Sequence, residues 1–273
     1  MEDRYLSGQD GTQIYYQEWK ISEPKAYVVL VHGLGEHIGR YQHVAQYWNK
    51  HQMSVVGYDH QGHGKSSGKR GVIRHYASLL DHLEQVLEFV KLQAVDLPGF
   101  IYAHSMGGNI ALNFLLRRKP KIAGMICTGA AIKLAFEPSP VLVALGKIAR
   151  KIYPAFAQNN QLIVEHISRN EAVVTAYKND PLVHNQVGAE LGLSLLESGK
   201  WLLQNHGPTP CPLLLMHGQD DQITDPEGSI RLGQNLTGDV TVKIWPTLYH
   251  EIHNEPEQMD VLAYTWNWIE ERL

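Results

Sequence analysis

The sequence predicts an α/β fold in which a mostly parallel sheet carries helices on both faces and a helical segment interrupts the alternation. Three observations predict it. Short apolar runs rich in Val, Ile and Tyr alternate with longer segments of helical period, the pattern of a parallel sheet buried between helices. The alternation stops between about residues 131 and 207, where the chain is helical in character and holds no convincing strand, and then resumes. The chain has 273 residues, 44% hydrophobic and 19% charged. That is long and apolar enough to bury a sizeable core, and it excludes a disordered chain.

Residues 14–19 read as a strand after the Asp10-Gly11 turn. Residues 26–31 are an unbroken apolar run, hence a buried strand, ending at His32-Gly33. Residues 41–50 read as a helix and 54–58 as the next strand. Residues 75–94 carry Leu79, Leu80, Leu83, Val86, Leu87 and Val90, a helical stripe. A strand at 100–103, a helix at 108–116 and a strand at 122–128 follow. Within the interruption, helical character falls at 140–152, 161–177 and 188–204. Strands at 213–216 and 240–244 flank a helix near 229–236, and a helix at 260–271 closes the chain. The expected organisation is a core of residues 1–130 and 208–273, with residues 131–207 inserted as a cap over the strand ends.

Composition narrows the function classes. Lys+Arg 24 against Asp+Glu 28 gives net −4, and the densest basic clusters are Arg117-Arg118-Lys119 and Lys147 with Arg150-Lys151. Nucleic-acid binding is not expected. Cys127 and Cys211 are too few for a disulfide framework. The opening Met1-Glu2-Asp3-Arg4-Tyr5 has no basic and then apolar run, so no secretory signal is expected. The longest stretch without Asp, Glu, Lys or Arg, residues 97–116, holds His104, Ser105, Gly107, Gly108 and Asn109, and so is no membrane span. A cytoplasmic protein with free thiols is the expectation, with contact at a membrane surface through the cap as an addition.

The strongest chemical signal is Tyr102-Ala103-His104-Ser105-Met106-Gly107-Gly108, between a strand and a helix. Small residues two before and two after a serine suit a sharp strand-to-helix turn that lifts the hydroxyl above the sheet. The usual pattern is G-x-S-x-G, and Ala103 stands at its first glycine. The second signal is His32-Gly33-Leu34-Gly35-Glu36-His37 after the buried strand, a loop suited to completing an oxyanion hole. The N–H groups of Leu34 and Met106 would form the pair. A serine nucleophile needs a base, and the base an orienting acid. In the α/β-hydrolase fold these follow in the order Ser, acid, His. Asp220 and Asp221 lie after the strand at 213–216, and His250 and His253 after the one at 240–244. Asp221 is preferred to Asp220, and His250 to His253. Asp225 reads as a helix N-terminal acid.

Three lookalikes fail. Gly64-Lys65-Ser66 lacks the first glycine of a phosphate loop, where Asp59 stands. His250-Glu251-Ile252-His253 lacks the second histidine of a zinc helix, where Asn254 stands. No dinucleotide glycine pattern follows a strand with a suitable acid. His43, His51, His60, His82 and His166 read as surface or loop residues and not ligands. No metal or cofactor is expected.

The segments His32 to Tyr41, Asp59-His60-Gln61-Gly62-His63-Gly64-Lys65-Ser66, His104 to Gly108, Ser168-Arg169-Asn170, Tyr177 to Leu182, Gly218 to Asp221 and Tyr249 to His253 resemble, in order and over nearly the whole chain, monoacylglycerol lipases and related bacterial lysophospholipases. The resemblance implies Ser105 as nucleophile, Asp221 as orienting acid, His250 as base, and the Leu34 and Met106 amides as oxyanion hole. It further implies that Glu36, Arg40 and His253 line the polar end of the site, and that the cap forms an apolar tunnel for an acyl chain. The implied reaction is hydrolysis of a small lipid ester, monoacylglycerol to fatty acid and glycerol, through an acyl-enzyme. A lysophospholipase or broad esterase, a small-peptide aminopeptidase, and a ligand-binding protein without catalysis are the alternatives. In the cap, Val141, Leu142, Leu145, Ile148 and Ile152 form an apolar helical stripe. It suits docking on lipid or packing on the body equally.

Overall fold

The computed structural model describes residues 4–94 and 96–273. Met1-Glu2-Asp3, read above for a signal sequence, lie outside the described residues. Eight strands build one sheet: β1 (Arg4–Ser7), β2 (Gln13–Trp19), β3 (Ala26–Val31), β4 (Met53–Tyr58), β5 (Gly99–His104), β6 (Gly124–Thr128), β7 (Leu213–Gly218) and β8 (Val240–Trp245). Their spatial order is β1-β2-β4-β3-β5-β6-β7-β8. From β4 to β8 every pairing is parallel, while β1 and β2 join antiparallel at one edge. Sequence patterning does not reveal β1. It has four residues, mostly exposed, so no apolar period marks it.

The helices are α1 (Gln42–Lys50), α2 (Tyr76–Gln93), α3 (Met106–Arg118), α4 (Pro140–Ile152), α5 (Glu171–Asn179), α6 (Ala189–Leu203), α7 (Pro226–Asn235) and α8 (Gln258–Glu270). The unbroken apolar run of β3 feeds both faces of the sheet, as a strand period of two requires. Val29 and Val31 join a cluster with Leu83 and Val86 of α2, Ile110 and Phe114 of α3 and Leu232 of α7. Val28 and Leu30 join Val44 and Trp48 of α1 and Val261 and Trp268 of α8 on the other face. The strands' carboxyl ends therefore share one edge, where α/β sheets bind ligands. Cys127 and Cys211 are free and buried. Among the described residues no helix is long and apolar enough to cross a membrane.

Between β6 and β7 no strand joins the main sheet. Helices α4, α5 and α6 lie here, with three differences from expectation. Two three-residue strands, Ala157–Asn159 and Gln186–Gly188, pair antiparallel. Gly207–Pro208 pairs with Leu236–Thr237. All are too short to show a period in sequence. The helix expected at 161–177 begins instead at Glu171, because the Asn170 side chain accepts the Ala172 N–H and caps it there. The α4 stripe also does not pack on the body: Val141 is 66% and Ile152 79% exposed, and no α4 residue is buried. Its other side, at Gly146, meets Leu193 of α6.

Two of the histidines expected at the surface are buried. His82 lies on α2 with Nε2 3.3 Å from Asp10 Oδ1. His60 occupies a loop, as expected, but its N–H donates to His32 Nε2 at 3.0 Å inside the fold. Asp225 caps α7 by accepting the Glu227 N–H, as its position in sequence implied.

Candidate active site

Ser105 lies at the sharp turn between β5 and α3, with φ 53° and ψ −118°. A non-glycine residue in this region is strained and persists only where its surroundings impose it. Here they do. Ser105 N–H donates to Thr128 O, and Ser105 O accepts from Asn109 N–H and Ala131 N–H, all at 3.0 Å. Gly107 is required because a Cβ there would lie 2.3 Å from Val31 O and 2.5 Å from His32 O. Ala103 replaces the usual glycine without penalty of that kind, being an ordinary strand residue paired with Val31 and Cys127.

The loops after β7 and β8 bring the partners. His250 Nε2 is 2.9 Å from Ser105 Oγ, and His250 Nδ1 is 2.7 Å from Asp221 Oδ2. Asp221 is buried and its neighbour Asp220 exposed. His253 instead stacks on Tyr41, with ring centroids 5.0 Å apart. Burial pushes the Asp221 carboxyl up, but His250 and the hydrogen bond from His217 outweigh it and hold Asp221 far below the usual carboxylate range. Burial lowers His250, yet the Asp221 carboxylate outweighs it and raises the imidazole above its ordinary value.

The loop after β3 lies against the serine: a Cβ on Gly33 would sit 3.1 Å from Ser105 Cβ. Leu34 N–H belongs to this loop, and Met106 N–H is the first of α3. Among the described residues neither donates to another protein group. Glu36 shapes the loop from behind. Its Oε1 accepts from Gly33 N–H at 2.7 Å and from Tyr41 Oη at 2.8 Å.

Arg40 bridges Glu36 and Glu251. It meets both Glu251 oxygens at 2.7 Å and stacks 4.6 Å from the Tyr177 ring centroid of α5. Burial raises the Glu36 carboxyl, against the pull of Arg40. Glu251 is also pushed up by burial, but Arg40 outweighs this and brings it down to about 2. Glu36, His104 and Glu251 have ligand atoms within 4.8 Å of one another, a spacing that suits a cation. Arg40 already neutralises one charge on that pair of carboxylates, so a metal would compete with the guanidinium. His104 is held neutral, its imidazole brought down to about 3 by burial and the neighbouring His250. Its Nδ1 lies 3.0 Å from both Thr128 O and Thr128 Oγ1.

Sequence reasoning missed Glu251, Tyr177 and His217 as site residues. In the sequence Glu251 enters only through the failed zinc motif, although its place beside His250 is a signal. Tyr177 and His217 had none beyond lying in the resembling segments or beside them. A groove of about 740 Å³ lined by Tyr27, Lys91, Lys119 and Lys121 lies at the strands' amino ends, remote from Ser105. Ser105 itself is only 8% exposed.

The family described as "Serine aminopeptidase, S33" matches residues 22–257. A monoacylglycerol lipase of Mycolicibacterium smegmatis is 36% identical over 98% of this chain and 96% of its own. This chain belongs to the monoacylglycerol lipase family of α/β-hydrolases. The family extends to a phospholipase of Bacillus subtilis, 30% identical over 92% of this chain and 99% of its own. A crystal structure of the monoacylglycerol lipase from Paleococcus ferrophilus superposes with TM-score 0.87, at 32% identity over 95% of this chain and 99% of that one.

Proposed function

We propose that this chain is a serine ester hydrolase that cleaves monoacylglycerol to fatty acid and glycerol. The observation that carries the reading is the unbroken line Ser105 Oγ, His250 Nε2, His250 Nδ1, Asp221 Oδ2 at 2.9 and 2.7 Å. His250 takes the Ser105 proton as the hydroxyl attacks the ester carbonyl. The Leu34 and Met106 N–H groups receive the oxyanion, each such donor contributing about 2.7–4 kcal/mol. His250 returns the proton to the departing glycerol oxygen. It then activates the water that cleaves the acyl-enzyme. Residues 131–207 act as the cap over the acyl chain. No metal or cofactor enters these steps.

Glu36, Arg40 and His253 form the polar end where glycerol sits. Among the described residues His253 Nδ1 is buried without a partner, and a hydroxyl would satisfy it. Charge favours a neutral head. Arg40 is shared by two carboxylates, so the cluster has no uncompensated cation for a phosphate. The peptidase alternative needs a free carboxylate for an amine. Glu137, Glu165 and Glu171 of the insertion are exposed, Glu190 pairs with Arg150 at 3.0 Å, and Arg40 occupies the buried acids. The test compares 1-monooleoylglycerol, oleoyl lysophosphatidylcholine, p-nitrophenyl butyrate and leucine p-nitroanilide. Monooleoylglycerol is expected to exceed the lysolipid in kcat/KM by about tenfold or more, about 1.4 kcal/mol, with no turnover of the anilide. Equal rates on the two lipids overturn the head-group reading, and turnover of the anilide alone overturns the esterase.

The exposed α4 stripe favours docking of the cap on a lipid surface. Val141, Leu145, Ile148 and Ile152 face solvent beside exposed Lys147 and Lys151. Sedimentation with phosphatidylcholine vesicles is expected to retain the wild type and to lose a Leu145→Glu/Ile148→Glu variant. That variant should keep its rate on soluble p-nitrophenyl butyrate. Equal retention of both proteins removes this role from α4.

A further inference from the structure

A second histidine meets the triad carboxylate. His217, at the end of β7, is fully buried, and its Nε2 lies 3.0 Å from Asp221 Oδ2. Its Nδ1 lies 2.8 Å from the hydroxyl of Ser229, a buried residue of α7. The neighbours determine the tautomer. Nε2 faces the carboxylate and Thr224 O at 3.1 Å, both acceptors, so Nε2 carries the proton. Nδ1 is then the acceptor of the Ser229 proton.

Asp221 needs this donor. Its Oδ1 accepts from Ile223 N–H at 2.8 Å and Thr224 N–H at 3.0 Å. Its Oδ2 meets His250 Nδ1, His217 Nε2 and Thr224 Oγ1. Thr224 has a single hydroxyl proton and two acceptors for it, Asp221 Oδ2 at 2.8 Å and Gly129 O at 3.0 Å. When that proton turns to Gly129, only His217 among the described residues fills the second lone pair of Oδ2. A buried carboxylate with an unfilled lone pair would rotate or gain basicity.

We propose that His217, anchored at Nδ1 by Ser229, is a positioning residue that locks the rotation of Asp221 and thereby the orientation of His250. The inference rests on Ser105, His250 and Asp221 acting as proposed above. It places the control of catalysis partly on α7, which touches no reacting atom. It also has a sign. A donor on Asp221 moderates the carboxylate's hold on the His250 proton, so removing the donor strengthens that hold. His250 would then charge at higher pH, and the acid limb of kcat/KM would move up. The other groups facing His250 are Glu251 and Glu36, which favour its charged form, and neutral His104. None of them changes with residue 217.

The test uses the full chain, p-nitrophenyl butyrate and a pH series. His217→Met and His217→Gln are similar in size, and only Gln offers a donor. His217→Met is expected to lose about 10- to 30-fold in kcat/KM and to move the acid limb up by about half to one pH unit. His217→Gln should stay within about threefold of wild type with its limb unmoved. Ser229→Ala, which leaves the Nε2 proton donated to Asp221 but removes the hydroxyl that anchors Nδ1 and so the ring, should lose about threefold to tenfold. Met and Gln variants with equal rates and equal limbs overturn the proposal. If the Met variant does not fold, wild-type rate and limb in Ser229→Ala overturn it instead. Ser105→Ala in the same assay separates the two readings: activity surviving there defeats the triad itself, whereas loss there with no effect at His217 defeats only this inference.

Discussion

Ser105→Ala is expected to lower kcat on monooleoylglycerol by roughly 10⁶-fold, leaving a residual rate from the oxyanion donors and binding alone. The size follows from the geometry. Among the described residues His250 Nε2 has a single partner of hydroxyl chemistry, Ser105 Oγ at 2.9 Å, so removing that oxygen takes away the protein nucleophile in reach of the base. The fold should survive. Ser105 holds its turn through backbone bonds to Thr128, Asn109 and Ala131, and alanine retains all three. Alanine keeps the Cβ and so the same backbone strain, and only the side-chain hydroxyl is lost, a change of about 1 kcal/mol in stability. A fluorophosphonate probe should label the wild type at Ser105 and leave the variant unlabelled. An unlabelled wild type would support the ligand-binding alternative, and an active Ser105→Ala protein would end the serine mechanism.

Asp221→Asn is expected to cost roughly 10⁴-fold in kcat. The carboxylate oxygens accept from two backbone N–H groups on one side and two imidazoles on the other. An amide must place its NH₂ against one of these sets, donor against donor. If it faces His250 and His217, His250 loses the acceptor for its Nδ1 proton and adopts the tautomer that cannot take the serine proton. If it faces the backbone, the loop between Gly218 and Thr224 must shift. Both routes disable the base. The loss should be accompanied by a lower pH at which His250 becomes neutral, because the charge that raises it is gone. Residual activity within tenfold of wild type would mean that Asp221 does not orient the base.

Local patterns made much of the architecture legible. Six consecutive apolar residues at 26–31, half of them valine and followed by His32-Gly33, read as a strand buried on both faces, and the stripe from Leu79 to Val90 repeats with the period of a helix. The serine turn was legible because a clash-free strand-to-helix corner restricts the residues around Ser105 to small ones. The loops holding the acid and the histidine were legible because each follows a strand in the parallel sheet. Segments without such a signature were not legible. β1 is short and polar, the paired strands of the insertion have three residues each, and the helix start at Glu171 was determined by one capping side chain.

What the residues by themselves determined is the fold class, the strand-to-helix corner at Ser105 and the two loops after later strands that hold Asp221 and His250. All of these arise from backbone periodicity and sterics within a few residues. The tertiary structure alone decided which of two adjacent aspartates is desolvated against His250, that Arg40 is spoken for by Glu251 across 211 positions of chain, that His217 reaches Asp221, and that the apolar face of α4 is left bare. Periodicity carries no information about these, because desolvation and hydrogen-bond competition depend on which distant groups arrive at the same few ångströms.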